Sequence, residues 1–199
     1  MKSRVVALAG LCLGVMVMPA GAAVMQFDLV GKEGTGLLAK NENSPVLGDP
    51  PGSGGEVGVG ISYDDVANVL TLSIGWGSGN GFVNLTGTAT GGHIHGPTIS
   101  TGTDSFLENT NVKYPLDSLA GWNSSASAGG FIGTVSIAQD DEALLLAGRF
   151  YINIHTDTPG LNPSGEIRGN LVPVPEPQTY ALVLAGLGLI GFAARHRLR

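Results

Sequence analysis

Val57-Gly58-Val59-Gly60-Ile61-Ser62-Tyr63 and Val69-Leu70-Thr71-Leu72-Ser73-Ile74-Gly75-Trp76 flank the short stretch Asp64-Asp65-Val66-Ala67-Asn68. In the second run Leu70, Leu72, Ile74 and Trp76 fall on one side of an extended chain, with Thr71 and Ser73 on the other. A period of two marks a half-buried antiparallel strand, and the residues between the runs read as a hairpin connection. Working outward, Met25–Leu29, Phe82–Thr90, Phe131–Ala138, Phe150–Thr156 and Glu166–Val172 are expected as further strands. Residues 31 to 55, rich in Gly, Pro and Asn, read as a long loop, and Gly77 to Gly81 as a shorter one. Asp140 to Leu146 is expected to form one or two helical turns, with Asp140 as N-cap and Gly148 at the end. Short strands separated by turns, without heptads or internal repeats, predict an all-β fold: a two-sheet antiparallel sandwich of Greek-key type.

Both ends of the chain have another character. Lys2 and Arg4, the apolar run Val5 to Val17 and the small residues Ala20-Gly21-Ala22 are the three parts of a signal peptide, expected over 1–23 with cleavage after Ala22 or Ala23. Cys12 is the only cysteine, but Leu11 before it does not make a lipobox. The domain is expected over 24–172, followed by a Pro-rich linker (173–179), a membrane helix (180–194) and a basic cytoplasmic end (195–199). Prolines at 173, 175 and 177 stiffen the linker and separate the apolar helix from any core.

Pro175-Glu176-Pro177, the apolar run from Tyr180 to Ala194 and the cluster Arg195, Arg197 and Arg199 together resemble the PEP-CTERM sorting tail of Gram-negative bacteria. The resemblance implies an exosortase as partner, transient anchoring in the inner membrane, and delivery to the cell surface or an exopolysaccharide matrix. The arginines agree with this orientation, because basic residues beside a short span stay on the cytoplasmic side.

Charge narrows the function classes further. Of the sixteen acidic residues all but Glu176 lie in 24–172, against only Lys32, Lys40, Lys113, Arg149 and Arg168. So acidic a domain has no electrostatic attraction for nucleic acid, which is excluded as a partner. A cysteine-free exported domain must hold itself by its core, or by a core and a metal.

Four histidines occur, and three of them fall in two short extended motifs. Gly92-His93-Ile94-His95-Gly96-Pro97 places two imidazoles on one face of a strand, with Ile94 on the other. Tyr151-Ile152-Asn153-Ile154-His155-Thr156-Asp157 repeats the device, with Asn153, His155 and Asp157 opposite Ile152 and Ile154. If these strands approach, His93, His95 and His155 could share one ion with Asp157 as fourth ligand. Three neutral imidazoles suit zinc or copper. Asn153 and Thr156 are expected to orient the rings. Sharing an ion requires the three nitrogens to come within about 4 Å of one another.

The histidine motifs, with Gly148-Arg149-Phe150 before the second and Pro163-Ser164-Gly165-Glu166-Ile167-Arg168-Gly169-Asn170-Leu171 after it, resemble the CHRD domain. The resemblance spans roughly residues 25 to 172 and implies an extracellular β-rich module without an established enzymatic activity. A thinner similarity to copper-zinc superoxide dismutase fails on a count. Three domain histidines cannot supply two metal sites with a bridging ligand.

The remaining candidates read as structural. Glu166 and Arg168, two apart on the last strand, are expected to form an ion pair. Asp140-Asp141-Glu142 matches no EF-hand spacing and suits a helix start. Trp76, Phe82 and Trp122 could make a sugar-stacking platform, but in a chain poor in aromatics they are expected in the core. No nucleophile elbow, phosphate-binding loop or dinucleotide fingerprint occurs. The sequence therefore favours a non-enzymatic surface or matrix protein; the alternative is a mononuclear zinc or copper protein built on the three histidines.

Overall fold

The computed structural model describes residues 24–42, 50–161, 165–175 and 177–197. The expected signal peptide 1–23, Glu176 of the sorting motif and Arg199 of the basic cluster lie outside them. The strands are β1 Val24–Gly31, β2 Gly34–Thr35, β3 Leu37–Leu38, β4 Ser53–Asp64, β5 Val69–Trp76, β6 Ala89–His95, β7 Val112–Pro115, β8 Trp122–Asn123, β9 Gly129–Ser136, β10 Phe150–Thr156 and β11 Ile167–Pro173. Two α-helices, α1 Gln139–Leu146 and α2 Pro177–Arg197, and three short 3-10 turns at Ala39–Asn41, Ser78–Asn80 and Gly102–Leu107 complete the described elements.

The hairpin that opened the reading forms as expected. Tyr63 pairs with Leu70 and Ile61 with Leu72, while the Asp64 carboxylate accepts the Val66 and Ala67 N–H groups and fixes the turn. Leu70, Leu72, Ile74 and Trp76 are all buried, and Trp76 spends its indole N–H on the Ser125 carbonyl at 2.8 Å. Residues 57–60 leave the ladder as a bulge between Glu56 and Ile61, carried by Gly58 and Gly60 at positive φ.

Pairing is antiparallel throughout and continuous in the order β7-β6-β10-β11-β1-β4-β5-β9-β8, with β2 and β3 beside the path. The expected division into two sheets is therefore not what the hydrogen bonding shows. β1 joins the halves by pairing with β11 on one side and β4 on the other. The sheet then curls until its far regions meet: Leu85 N–H donates to Ala126 O at 3.0 Å and Ala89 N–H to Ser124 O at 2.9 Å. One core fills the interior, with Phe27, Leu29, Ile61, Leu72, Ile94, Phe131, Ile152 and Leu171 contributed from seven strands. Trp122 packs against Trp76 at 5.2 Å between ring centroids. Trp76 and Trp122 are thus core-forming rather than a sugar platform.

Three boundaries move. The loop expected over 31–55 contains β2, β3 and the start of β4. The strand expected over Phe82–Thr90 begins only at Ala89. Side chains hold the stretch before it instead of a ladder: Ser53 Oγ accepts the Val83 N–H, and Glu166 and Asp157 accept those of Thr86 and Thr88. The short helix starts one residue early, at Gln139, with Ala138 in the cap position and no side-chain cap. Asp141 turns inward to Lys113 Nζ at 3.0 Å and to the Tyr114 hydroxyl, so the acidic cluster anchors α1 to β7.

α2 covers the stretch expected to span the membrane, and its side chains from Leu182 to Arg195 are exposed except at Gly186. Among the described residues no helix is long and apolar enough to cross a membrane.

Candidate metal centre

β6 and β10 lie side by side, with Tyr151 opposite His95, Ile152 opposite Ile94 and Asn153 opposite His93. Period-two alternation sends Ile94, Ile152 and Ile154 into the core. It puts His93, His95, Tyr151, Asn153 and His155 on the other face. His155 pairs with Gly91, whose missing side chain leaves the space in which the imidazoles meet. A Cβ at Gly91 would lie 3.0 Å from His93 Cε1.

The three imidazoles converge. Ring centroids are 5.0 Å apart for His93 and His155, 5.6 Å for His93 and His95, and 6.2 Å for His95 and His155. One ligand nitrogen from each lies within 4.8 Å of the other two. That is wider than the limit of about 4 Å set by shared coordination, so a shared ion would have to draw the rings closer together. His93 Nδ1 and His95 Nε2 are buried and have no hydrogen-bond partner. Buried polar atoms are normally satisfied, so two bare imidazole nitrogens in one cluster fit a cation.

The surroundings keep the rings in place. The His95 Nδ1–H donates to the Thr110 carbonyl at 2.9 Å. The Tyr151 ring stacks on His95 at 4.9 Å and 10°, and the Arg168 guanidinium lies 3.5 Å from the Tyr151 centroid on β11. Burial lowers the His95 pKa below its ordinary value; the Thr110 carbonyl opposes this, and the nearby His93 and Arg168 add to it. A neutral imidazole is the form a metal requires. Burial likewise lowers the Arg168 pKa, while Tyr151, Glu42 and Glu108 favour its charge.

Several expected partners are engaged elsewhere. Asp157 is exposed and its carboxylate caps the Thr88 N–H at 2.9 Å. It stands one residue beyond the end of β10, where a bulge at Thr90 of β6 shifts the pairing. The Thr156 hydroxyl donates to Glu166 Oε2 at 2.9 Å, and the Asn153 amide donates to the Glu42 carboxylate, so neither orients a histidine through these bonds. Glu166 and Arg168 do not form the expected ion pair. Glu166 also accepts from Thr86 N–H and Oγ1 at 2.9 and 2.7 Å. Arg168 donates to Asn109 Oδ1, Ser105 O and Asn170 Oδ1. The chain bends into β11 between them, and each buried charge finds partners on its own side.

Sequence reasoning missed Asp117, whose Oδ2 lies 3.6 Å from His93 Nε2, and Thr110. Asp117 sits in a turn and Thr110 in an irregular segment, and no local pattern marks either. Gly91, directly before the first motif, was the one legible sign of crowding.

Residues 37–171 match the CHRD domain, and residues 173–198 match the PEP-CTERM protein-sorting motif. No curated protein and no solved structure matches the chain.

Proposed function

The chain belongs to the CHRD-domain family, and on that footing we propose that it is an exported β-domain that binds one zinc or copper ion through His93, His95 and His155. The PEP-CTERM motif implies processing by an exosortase and export to the envelope or surface of a Gram-negative bacterium. Within that setting the domain serves in matrix structure, adhesion or partner binding rather than in turnover, and the ion stabilises a fold that has no cysteine outside Cys12.

The observation that carries the metal reading is the convergence of three imidazoles, two of them with bare buried nitrogens. The donor set is nitrogen only, since Asp157 is turned away, and such a set suits zinc or copper over calcium or magnesium. Asp117 is the nearest carboxylate given to a histidine, and it lies 3.6 Å from a ring nitrogen.

Metal content of the exported protein, purified without a histidine tag, tests the reading. Near-stoichiometric zinc or copper, lost in His93→Ala/His95→Ala, is expected. Protein that takes up neither metal after dialysis against both would refute it. Substrate turnover that depends on His93 or His95 would refute the non-enzymatic part alone.

A further inference from the structure

We infer that Asp117 is a positioning residue of the histidine centre and that the imidazoles offer unlike nitrogens, His93 through Nδ1 and His95 through Nε2. This rests on the metal reading above and adds the ligand atoms and the group that selects one of them.

The His95 assignment follows from its partner. A backbone carbonyl only accepts, so the Thr110 oxygen at 2.9 Å requires the proton on Nδ1 and leaves the lone pair on Nε2, the nitrogen that is buried without a partner. His93 is the mirror case. Its Nε2 faces the Asp117 carboxylate at 3.6 Å, which also only accepts, and here Nδ1 is the buried nitrogen without a partner. Each ring thus has one nitrogen assigned to an oxygen acceptor and the other left bare. Two residues apart on one face of β6, with ring centroids 5.6 Å apart and planes at 75°, the two imidazoles thus present bare nitrogens of opposite type.

Asp117 is held for this role by the backbone. Leu116 and Asp117 N–H groups both donate to the Gly92 carbonyl, at 2.7 and 3.3 Å, so the carboxylate is tied to the residue preceding His93. A Cβ at Gly91 would lie 3.5 Å from Asp117 Oδ2 and 3.0 Å from His93 Cε1; that position is kept open for the imidazole–carboxylate pair. A carboxylate on the far nitrogen fixes the tautomer, raises the basicity of the ligating one and places a negative charge beside the cation. The centre then needs no carboxylate ligand, in keeping with the diversion of Asp157 to Thr88.

Long-range proton–nitrogen NMR of the zinc-loaded exported protein, with zinc affinity measured by competition against a chelator, is the test. The expected spectrum shows His93 as the Nε2–H tautomer bound through Nδ1 and His95 as the Nδ1–H tautomer bound through Nε2. Asp117→Asn should weaken zinc by roughly 10–100-fold, and Asp117→Glu, which restores the charge, should recover part of the loss. Zinc bound through His93 Nε2, or an unchanged affinity in Asp117→Asn, overturns the inference and leaves the metal reading standing. Failure of the unaltered protein to bind zinc or copper overturns the metal reading itself. The tautomer assignment needs no variant, so a misfolded Asp117→Asn protein does not shield the inference.

Discussion

Replacing Arg168 by lysine keeps a positive charge in the same place and removes the planar fork. If charge alone mattered at this position, the change would be neutral. The structure argues otherwise, because three guanidinium nitrogens serve three acceptors: Nη1 to Asn109 Oδ1 at 3.1 Å, Nη2 to Ser105 O at 3.3 Å and Nε to Asn170 Oδ1 at 3.4 Å. The residue has 0% exposure, and Ser105 and Asn170 are buried with it, so these two acceptors have no water to turn to once they lose their donor. A single ammonium can serve one of these sites and leaves about two charge-assisted bonds unmade. At the low end of about 1.5 kcal/mol each, suited to bonds this long, the loss is roughly 3 kcal/mol. The flat contact with Tyr151 at 3.5 Å weakens as well, since an ammonium does not stack. For a domain of this size the melting temperature of Arg168→Lys should fall by roughly 6–12 °C. Urea unfolding followed by tryptophan fluorescence should show a lower midpoint at unchanged slope. A variant within about 0.5 kcal/mol of the parent would refute the view that the fork, rather than its charge, organises the 105–110 segment.

Other outcomes follow from single residues. Burial, the bond to Asp141 and the nearby negative charge push the Tyr114 pKa up to about 12; an ultraviolet titration of the folded protein should show its phenol ionising there. Since the unfolded chain releases that proton near 10, Tyr114 contributes stability that is complete below about pH 10 and is lost as the pH rises towards 12. Gly92→Ala would place a Cβ 2.2 Å from Trp122 Cζ3, and overpacking of this kind should cost about 1–3 kcal/mol in thermal or urea unfolding. Asp157→Ala should leave metal affinity within twofold of the parent, on the order of 0.4 kcal/mol, while loosening the Thr88 turn; a tenfold loss would return Asp157 to the ligand set.

The strands that the chain announces most clearly are those with apolar alternation, and β5 and β10 form where their patterns place them. Phe82–Thr88 carries enough β-formers to read as a strand, but Glu166 and Asp157, 80 and 69 residues further along the chain, take the Thr86 and Thr88 N–H groups and no ladder forms there. The three histidines were legible because two of them share a strand and the third stands on a strand of matching pattern. Asp157 was misplaced because β10 ends at Thr156, and beyond that end its carboxylate is taken by the Thr88 N–H. The Glu166–Arg168 pairing was misjudged because spacing reports a shared face and says nothing of the stronger partners that Thr86, Thr156, Asn109 and Ser105 offer to each charge. Asp117 and Thr110 reach the site from a turn and an irregular segment, and neither carries a period to read.

The curled sheet bears on how densely such a protein can be displayed. Crowded β-proteins are prone to join through the exposed backbone of their outermost strands. Here the path ends in β8, only two residues long, and in β7, where Lys113 and Pro115 stand among four residues. Neither offers a neighbouring copy a run of pairing sites, and the contacts of Leu85 and Ala89 with Ala126 and Ser124 occupy backbone groups where the sheet comes round on itself. At a crowded cell boundary, the two end strands themselves therefore present a neighbouring copy with only a few backbone groups.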